Sequence, residues 1–394
     1  MPKIAHLVTT FYPGMTWAPT LLLAEDQRRQ GWQVEFVAGY HGCPDFVKET
    51  KRRGFPVTQI PSLKKYIHPW KDLKALTELA QLLKSKKPDL VHTHLAKAGI
   101  LGRLAARQAG VKNIFHTVYG PTFAKTLPFW RRWPFWAAEK YVGKFTSQFI
   151  FVGQDLRSSY LRSGVCSQEN SLVIYGAKNL EPFIQSACLS ETERRRNRQA
   201  FGLDHEAPII GYVARIVPSK GHMYALRAFQ KLKSFHQSAK RIIVGDARVP
   251  SEHVFKNSLV AKIKKLGLQE EIIFTGWLNE KETAHYYGLF DILIFPSIYE
   301  GLPVAVLEAM AADIPVVGFD CGGVRELLGD DPNLVPVKDT EALTAVLGKE
   351  IARVSERRRQ RGKNLRKIEI LNEFFSIERM VEETRKLYQT ALSN

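Results

Sequence analysis

The sequence predicts an α/β protein made of two doubly wound domains, each a parallel sheet covered by helices on both faces. Two observations predict it. Short apolar runs alternate with longer amphipathic stretches, and this alternation halts once, near residue 181, and then restarts. A length of 394 residues agrees, because a single core rarely grows beyond about 250–300 residues.

The elements follow in order. "KIAHLVTT" is a short apolar strand, and "FYPGMT" is a loop containing Pro13 and Gly14. A helix comes next, with Pro19 near its start and Gly31 just past its end, the usual asymmetry of helix termini. "VEFVAG" is the next strand. A helix over 72–85, the strand "DLVHTH", a helix over 99–109 and the strand "NIFHTV" continue the βαβ pattern, and "FTSQFIFVGQ" and "SLVIYG" complete the first domain. Residues 181–207, with the arginine-rich "ETERRRNRQAFG", read as a connector. The second domain runs "IIGYVARI", a helix over 224–235, "RIIVG", a helix over 254–266 closed by Gly267, then "EIIFTG", "DILIFPS" and "IPVVGF". The expected domains are 1–180 and 205–375. A last helix over 376–392 has no strand after it, so residues 376–394 are assigned to the first domain.

Composition narrows the class. Apolar residues make up 45% and charged residues 24%, as in ordinary globular proteins. The four cysteines, Cys43, Cys166, Cys188 and Cys321, show no paired spacing, which argues for a reducing compartment and against a structural zinc. No apolar run reaches the ~20 residues of a membrane span, and no basic-then-apolar leader opens the chain. A cytoplasmic protein is expected, with peripheral attachment to the inner face of the membrane left open. The net charge of +18 is uneven. Residues 1–180 hold 26 basic against 11 acidic residues, and the remainder holds 31 against 28. The first domain therefore faces something anionic: a phosphorylated substrate, an acidic leaflet or nucleic acid.

Ligands of open α/β sheets bind beyond the carboxyl ends of the strands. Four stretches qualify: 11–16 with Gly14, "ARIVPSKG" over 214–221, "PSIYEGLPVAVLEAM" over 296–310, and "DCGGVRE" over 320–326. Arg215 and Lys220 bring two cations. Gly301, Leu302 and Pro303 bring backbone N–H groups and the positive end of a helix, with Pro303 placed in its first turn. A helix N-terminus beside Arg and Lys suits a diphosphate. Glu300 and Glu308 do not suit phosphate, but carboxylates accept hydroxyl groups in pairs. A nucleotide-sugar meets both demands. Singly, each feature is ordinary: Glu308 fits a salt bridge and Glu300 a helix cap.

"YEGLPVAVLEAMAADIPVV" resembles the E-x7-E signature of retaining GT-B glycosyltransferases, glycosyltransferase family 4. "GYVARIVPSKGHMYALRAF", "IIFTGWLNEKE" and "DCGGVREL" resemble the donor-pocket segments of that family, and "KPDLVHTHLAKAGILGRLAARQAGV" and "FTSQFIFVGQDLRSSYLRSGV" its first domain. The resemblance spans nearly the whole chain. It implies two Rossmann-like domains facing a cleft, with the donor on the second and the acceptor on the first. It assigns the ribose hydroxyls to Glu308, the sugar hydroxyls to Glu300, and the diphosphate to Arg215 and Lys220 with the N–H groups of Gly301 and Leu302. Arg215, Lys220 and Glu300 are the expected catalytic groups. The implied reaction retains configuration by front-face attack, with UDP the expected nucleotide, no cofactor, and no metal because the cationic clamp replaces a divalent ion.

Some residues depart from the family pattern. Tyr119 stands where "TVHG" has a histidine that touches the donor sugar, and His116 lies three residues earlier; both are candidate sugar contacts, with packing the competing role for His116. The first loop has Gly14 but no second glycine, Asp313 replaces a glycine, and "YGAKNLEPF" differs from "NGxD". On the acceptor side, "LPFWRRWPFWAAEKYVGK" and the lysine-flanked helix near 72–85 put aromatics beside cations, as at a membrane interface. Packing Trp130, Trp133, Phe135 and Trp136 in a core is the bland alternative. A hydroxyl acceptor that is lipid-linked or belongs to the cell envelope is expected, and a soluble phosphorylated acceptor competes. A nucleotide-sugar epimerase of the same fold and a basic nucleic-acid-binding protein are the rival functions; the latter leaves Glu300 and Glu308 without purpose. No G-x-G-x-x-G follows the first strand, which disfavours a Rossmann dehydrogenase.

Overall fold

The two runs of strands each fold into one fully parallel sheet. The computed structural model describes residues 1–10, 17–39, 44–123, 128–363 and 365–393. They divide into two units, Met1–Lys178 with Phe374–Asn394, and Asn179–Glu373.

In the first unit, β1 (Lys3–Val8), α1 (Trp17–Arg29), β2 (Gln33–Gly39), α2 (Pro44–Arg52), β3 (Val57–Ile60), α3 (Pro69–Lys86), β4 (Leu90–His94), α4 (Ala96–Gln108), β5 (Asn113–Val118), α5 (Phe129–Gly143), β6 (Gln148–Phe151), α6 (Gln154–Arg162) and β7 (Ser171–Val173) follow one another. The strand order is β3-β2-β1-β4-β5-β6-β7. Leu7, Val91 and Ile114 bury one face of the sheet against Leu79 and Leu83 of α3 and Ala98 and Ala105 of α4. α4 starts at Ala96, three residues before the expected start, because Leu95 turns the chain at φ +68°.

The second unit opens with α7 (Glu181–Ala187) and α8 (Glu191–Ala200). β8 (Ile209–Val213), α9 (His222–Lys233), β9 (Lys240–Val244), α10 (Pro250–Lys265), β10 (Ile272–Gly276), α11 (Glu280–Leu289), β11 (Ile292–Phe295), α12 (Val304–Ala311), β12 (Val316–Phe319), α13 (Gly323–Leu328), β13 (Leu334–Val335), α14 (Thr340–Ala352) and α15 (Val354–Gln360) follow. The order is β10-β9-β8-β11-β12-β13, with Ile210 of β8 in register with Ile292 of β11. The direction of winding therefore reverses between β8 and β11. Ile210, Ile243, Ile292, Ile294 and Val317 pack against Leu226 and Phe229 of α9 and Leu343 and Leu347 of α14.

The stretch 181–207, expected as a connector, belongs to this unit, whose boundary lies at Asn179 rather than near 205. The reason is a buried charge network. Asp291, at the start of β11, accepts from Arg198 of α8 at 2.8 Å, from Arg358 of α15 through both its oxygens at 2.8 Å, and from the Ile209 backbone at 2.8 Å. Arg198 also donates to the Leu289 carbonyl at 2.7 Å. The arginines read from sequence as connector charge are thus hydrogen-bonded inside the unit. α16 (Leu365–Phe375) then carries the chain back, and α17 (Ile377–Ser393) lies on α1. Met380, Val381 and Tyr388 of α17 join Ile4, Leu90 and Phe115 on the face opposite α3 and α4, and Arg385 pairs with Asp26 at 2.9 Å.

Burial alone would raise the Asp291 carboxyl, but hydrogen bonds from Arg358 and the charges of Arg198 and Arg358 hold it below the usual aspartate range. A depressed folded-state pKa gives stability that is complete above the ordinary aspartate value and fades as pH falls through the folded one. Asp291→Ala strands two buried guanidinium groups and is expected to cost about 3–5 kcal/mol in urea unfolding. A loss below about 1 kcal/mol, within the range of exposed ion pairs, contradicts this role.

Candidate active site

β8, β11 and β12 are neighbours in one parallel sheet, so the loops after them emerge side by side. Backbone contacts lock these loops together. Ile298 N–H donates to the Ser219 carbonyl at 2.9 Å. Gly221 has φ +77°, and a Cβ there would sit 1.8 Å from the Pro296 carbonyl oxygen, so only glycine permits the approach. On the other side Gly323 lies so close that a Cβ would stand 2.0 Å from the Gly301 oxygen. The crevice at the reversal of strand order, where open sheets bind ligands, is thus bounded by 214–221 and 296–303.

The side chains respond to that placement. Lys220 ends a single 3-10 turn, Pro218–Lys220, and its Nζ forms an ion pair with Glu300. Arg215 Nη1 reaches Glu252 at the start of α10 at 3.2 Å, and its carbonyl oxygen lies 2.9 Å from His222 Nε2. Burial lowers the His222 imidazole to about 3, so this ring is neutral and positions the Arg215 backbone. Glu308 is buried within α12, and one of its oxygens accepts from the Tyr287 hydroxyl at 2.8 Å. That hydroxyl also lies 2.9 Å from the Ala305 carbonyl. Gly301 and Leu302 are buried beneath the crevice. Pro303 caps α12 from outside at φ −80° and ψ 96°, one position before the expected first turn; its lack of an N–H costs nothing there.

Sequence reasoning therefore named Lys220, Glu300 and Glu308 but placed Lys220 on phosphate and Glu300 on sugar, as separate tasks; here they touch. Tyr287 and Glu252 were missed. Neither has a local motif, since Tyr287 is 21 residues from Glu308 and Glu252 is 37 from Arg215. Ser297 Oγ, at the mouth of the same loop, is buried without a hydrogen-bond partner among the described residues. The remaining candidates belong to the first unit. His116 is 1% exposed and hydrogen-bonds Thr93 Oγ1 at 2.9 Å, so it offers no surface to a sugar. Tyr119 is half-buried, with its hydroxyl 3.1 Å from His94 Nδ1, and burial pushes its phenol up to about 12. Gly14 lies outside the described residues.

A family profile described as "Glycosyl transferases group 1" matches residues 193–368, and one described as "Glycosyl transferase 4-like domain" matches residues 16–176. The chain belongs to glycosyltransferase family 4. Among the similar proteins, the Escherichia coli UDP-Gal:alpha-D-GlcNAc-diphosphoundecaprenol alpha-1,3-galactosyltransferase is 27% identical over 77% of this chain and 76% of its own. The putative glycosyltransferase EpsD of Bacillus subtilis is 26% identical over 92% of this chain and 90% of its own. Among solved structures, Anabaena Alr3699/HepE in complex with UDP and glucose superposes with a TM-score of 0.80 at 18% identity, covering 99% of this chain and 100% of that one. These likenesses establish a glycosyltransferase of GT-B fold, related to enzymes of cell-envelope and polysaccharide biosynthesis.

Tyr287 is expected to position the Glu308 carboxylate through their hydrogen bond. Tyr287→Phe removes one hydrogen bond to a carboxylate, worth about 1.5–3 kcal/mol, while keeping the ring. Nucleoside diphosphate affinity, measured by calorimetry, is expected to fall roughly tenfold with the fold intact. Unaltered affinity contradicts a positioning role for Tyr287.

Proposed function

We propose that this glycosyltransferase transfers a sugar, with retention of configuration, from a UDP-sugar to a hydroxyl of a polyprenyl-diphosphate-linked saccharide at a membrane surface. The observation that carries the donor half is the Lys220–Glu300 pair at the reversal of strand order. An ammonium has three donors, and Glu300 takes one, so the same group can hold Glu300 and a phosphate oxygen together. Glu300 then accepts sugar hydroxyls, Glu308 accepts the ribose hydroxyls, and Arg215 adds the second cation. As the bond from the anomeric carbon to the phosphate oxygen breaks, charge grows on the leaving diphosphate. Fixed cations stabilise that state more than the ground state. The acceptor oxygen bonds to the anomeric carbon from the departing face, and its proton passes to the leaving phosphate. Two side-chain cations supply the charge that a divalent ion would otherwise bring.

The surface of the first unit supports the acceptor half. α3 and α5 both begin at the carboxyl edge of the sheet, and α4 lies between them. Trp70, Tyr66 and Ile67 are exposed at the start of α3, and Phe129, Trp130 and Trp133 at the start of α5; Trp70 is 79% accessible. Core packing accounts only for Trp136, whose indole donates to the Ser163 carbonyl at 3.0 Å, and for half-buried Phe135. Lysines interleave with these rings. Lys71 beside Lys64 holds the Lys64 ammonium below the usual lysine range, a like-charge pair that an anion would relieve. No described helix is long and apolar enough to cross a membrane. Aromatics flanked by cations fit an anionic lipid interface, where each basic residue adds about 1 kcal/mol. The printed substrate of the Escherichia coli relative, a diphosphoundecaprenol-linked sugar, supports the same class of acceptor.

Sugar transfer from labelled UDP-sugars to polyprenyl-diphosphate-linked acceptors tests the whole reading. Lys220→Ala and Arg215→Ala each remove a charged contact of about 1.5–3 kcal/mol, so turnover should fall at least tenfold. Wild-type turnover in Lys220→Ala rules out the clamp. Donor consumption with no sugar on a second molecule would instead favour the epimerase. For the surface, Trp70→Ser with Trp130→Ser should weaken partition into anionic vesicles by roughly tenfold, or about 1.4 kcal/mol. Absence of vesicle binding by the wild type at low salt removes the membrane half of the proposal.

A further inference from the structure

Three imidazoles meet inside the sheet of the first unit. His6 of β1 and His92 of β4 are register partners, and His94, two residues along, leaves β4 on the same face. All three are buried, at positions where parallel sheets ordinarily place Val, Ile or Leu. His6 Nδ1 stands 3.1 Å from His94 Nε2, and one nitrogen from each of the three rings lies within 4.8 Å of the others. A nitrogen of His92 hydrogen-bonds the Tyr388 hydroxyl of α17, which also bonds to Gln27. Nothing in the sugar transfer uses this cluster.

We infer that His6, His92 and His94 form a site for one zinc-like divalent ion, completed by the Tyr388 oxygen, which fastens the C-terminal helix to the first sheet. Two imidazole nitrogens on tetrahedral zinc, each about 2.0–2.1 Å from the metal, stand about 3.3–3.4 Å apart. The 3.1 Å between His6 and His94 is within a small ring rotation of that value. The outward nitrogens are also served. His6 Nε2 faces Gln27 Oε1 at 3.0 Å, His94 Nδ1 faces the Tyr119 hydroxyl at 3.1 Å, and His92 Nε2 faces Thr117 Oγ1 at 2.7 Å. Each partner can accept the N–H that remains when the other nitrogen binds metal, the arrangement that orients metal-bound histidines. Imidazole with a phenol oxygen selects zinc, cobalt or nickel over magnesium or calcium. The expected absence of a structural zinc followed the cysteines; these histidines come together only across strands.

The full chain, purified without a histidine tag or chelator, should contain one zinc by plasma mass spectrometry. After metal removal it should take up one Co2+ with the visible bands of tetrahedral cobalt. His6→Gln and His94→Gln should each weaken uptake about a hundredfold or more, and Gln27→Leu by about 10–100-fold. Lack of zinc together with failure of the wild type to bind Zn2+ or Co2+ overturns the inference, as does uptake unchanged in both histidine variants. If those variants do not fold, Tyr388→Phe decides, because it keeps the packed ring. An altered cobalt spectrum with weaker binding is expected, and an identical spectrum and affinity overturns the site.

Discussion

The proposed donor site depends on one contact between loops, the seam that joins 214–221 to 296–303. Its backbone half is the Ile298–Ser219 hydrogen bond and the fit of Gly221 beneath Pro296, and its side-chain half is Lys220 against Glu300. The seam exists because β8 and β11 are adjacent in the sheet although two strands, β9 and β10, lie between them in the chain. Winding proceeds one way from β8 to β9 and the other way from β11 to β12, so no helix covers the edge between β8 and β11. A cation and a carboxylate raised from that gap face the same solvent volume. A diphosphate and its sugar can then be met by neighbouring groups on one rigid base.

Buried charge is used in two different ways in this chain. Asp291 is fully compensated by two guanidinium groups and a backbone N–H, and it clips α8 and α15 to the second sheet. In the first unit a cluster of imidazoles is instead buried without charge. His6, His92 and His94 are kept neutral by desolvation and linked to Gln27, Thr117, Tyr119 and Tyr388. One buried cation there, Arg103, is matched by Glu139 at 2.6 Å and leaves the excess of positive charge in residues 1–180 untouched. That excess lies on the surface with Trp70, Trp130 and Trp133, where an anionic partner can reach it.

Legibility varied with distance along the chain. The strands "DLVHTH", "IIGYV" and "IPVVGF" were readable because a buried parallel strand needs only a local apolar run. Lys220, Glu300 and Glu308 stood out as candidates because turn glycines and a helix start mark their loops. The helices over 181–200 were misjudged as a connector: their arginines look solvated until Asp291 and the Leu289 carbonyl are placed beside them. The aromatic segment near 130 divided, with Trp136 tied to Ser163 and Trp130 left outside, because helix rotation, not composition, decides which ring meets the core.

By itself the sequence determined the fold class, the tandem of two sheets, and the loops that carry the proposed clamp, since each is set by periodicity and turn chemistry within a few residues. Only the tertiary structure decided the partners. Lys220 and Glu300 are 80 residues apart, His6 and His94 are 88 apart, and His92 and Tyr388 are 296 apart. No local propensity encodes such pairs. They are products of strand order, which brings distant residues to one sheet edge or one sheet face and leaves desolvation and charge to select which side chains can remain there.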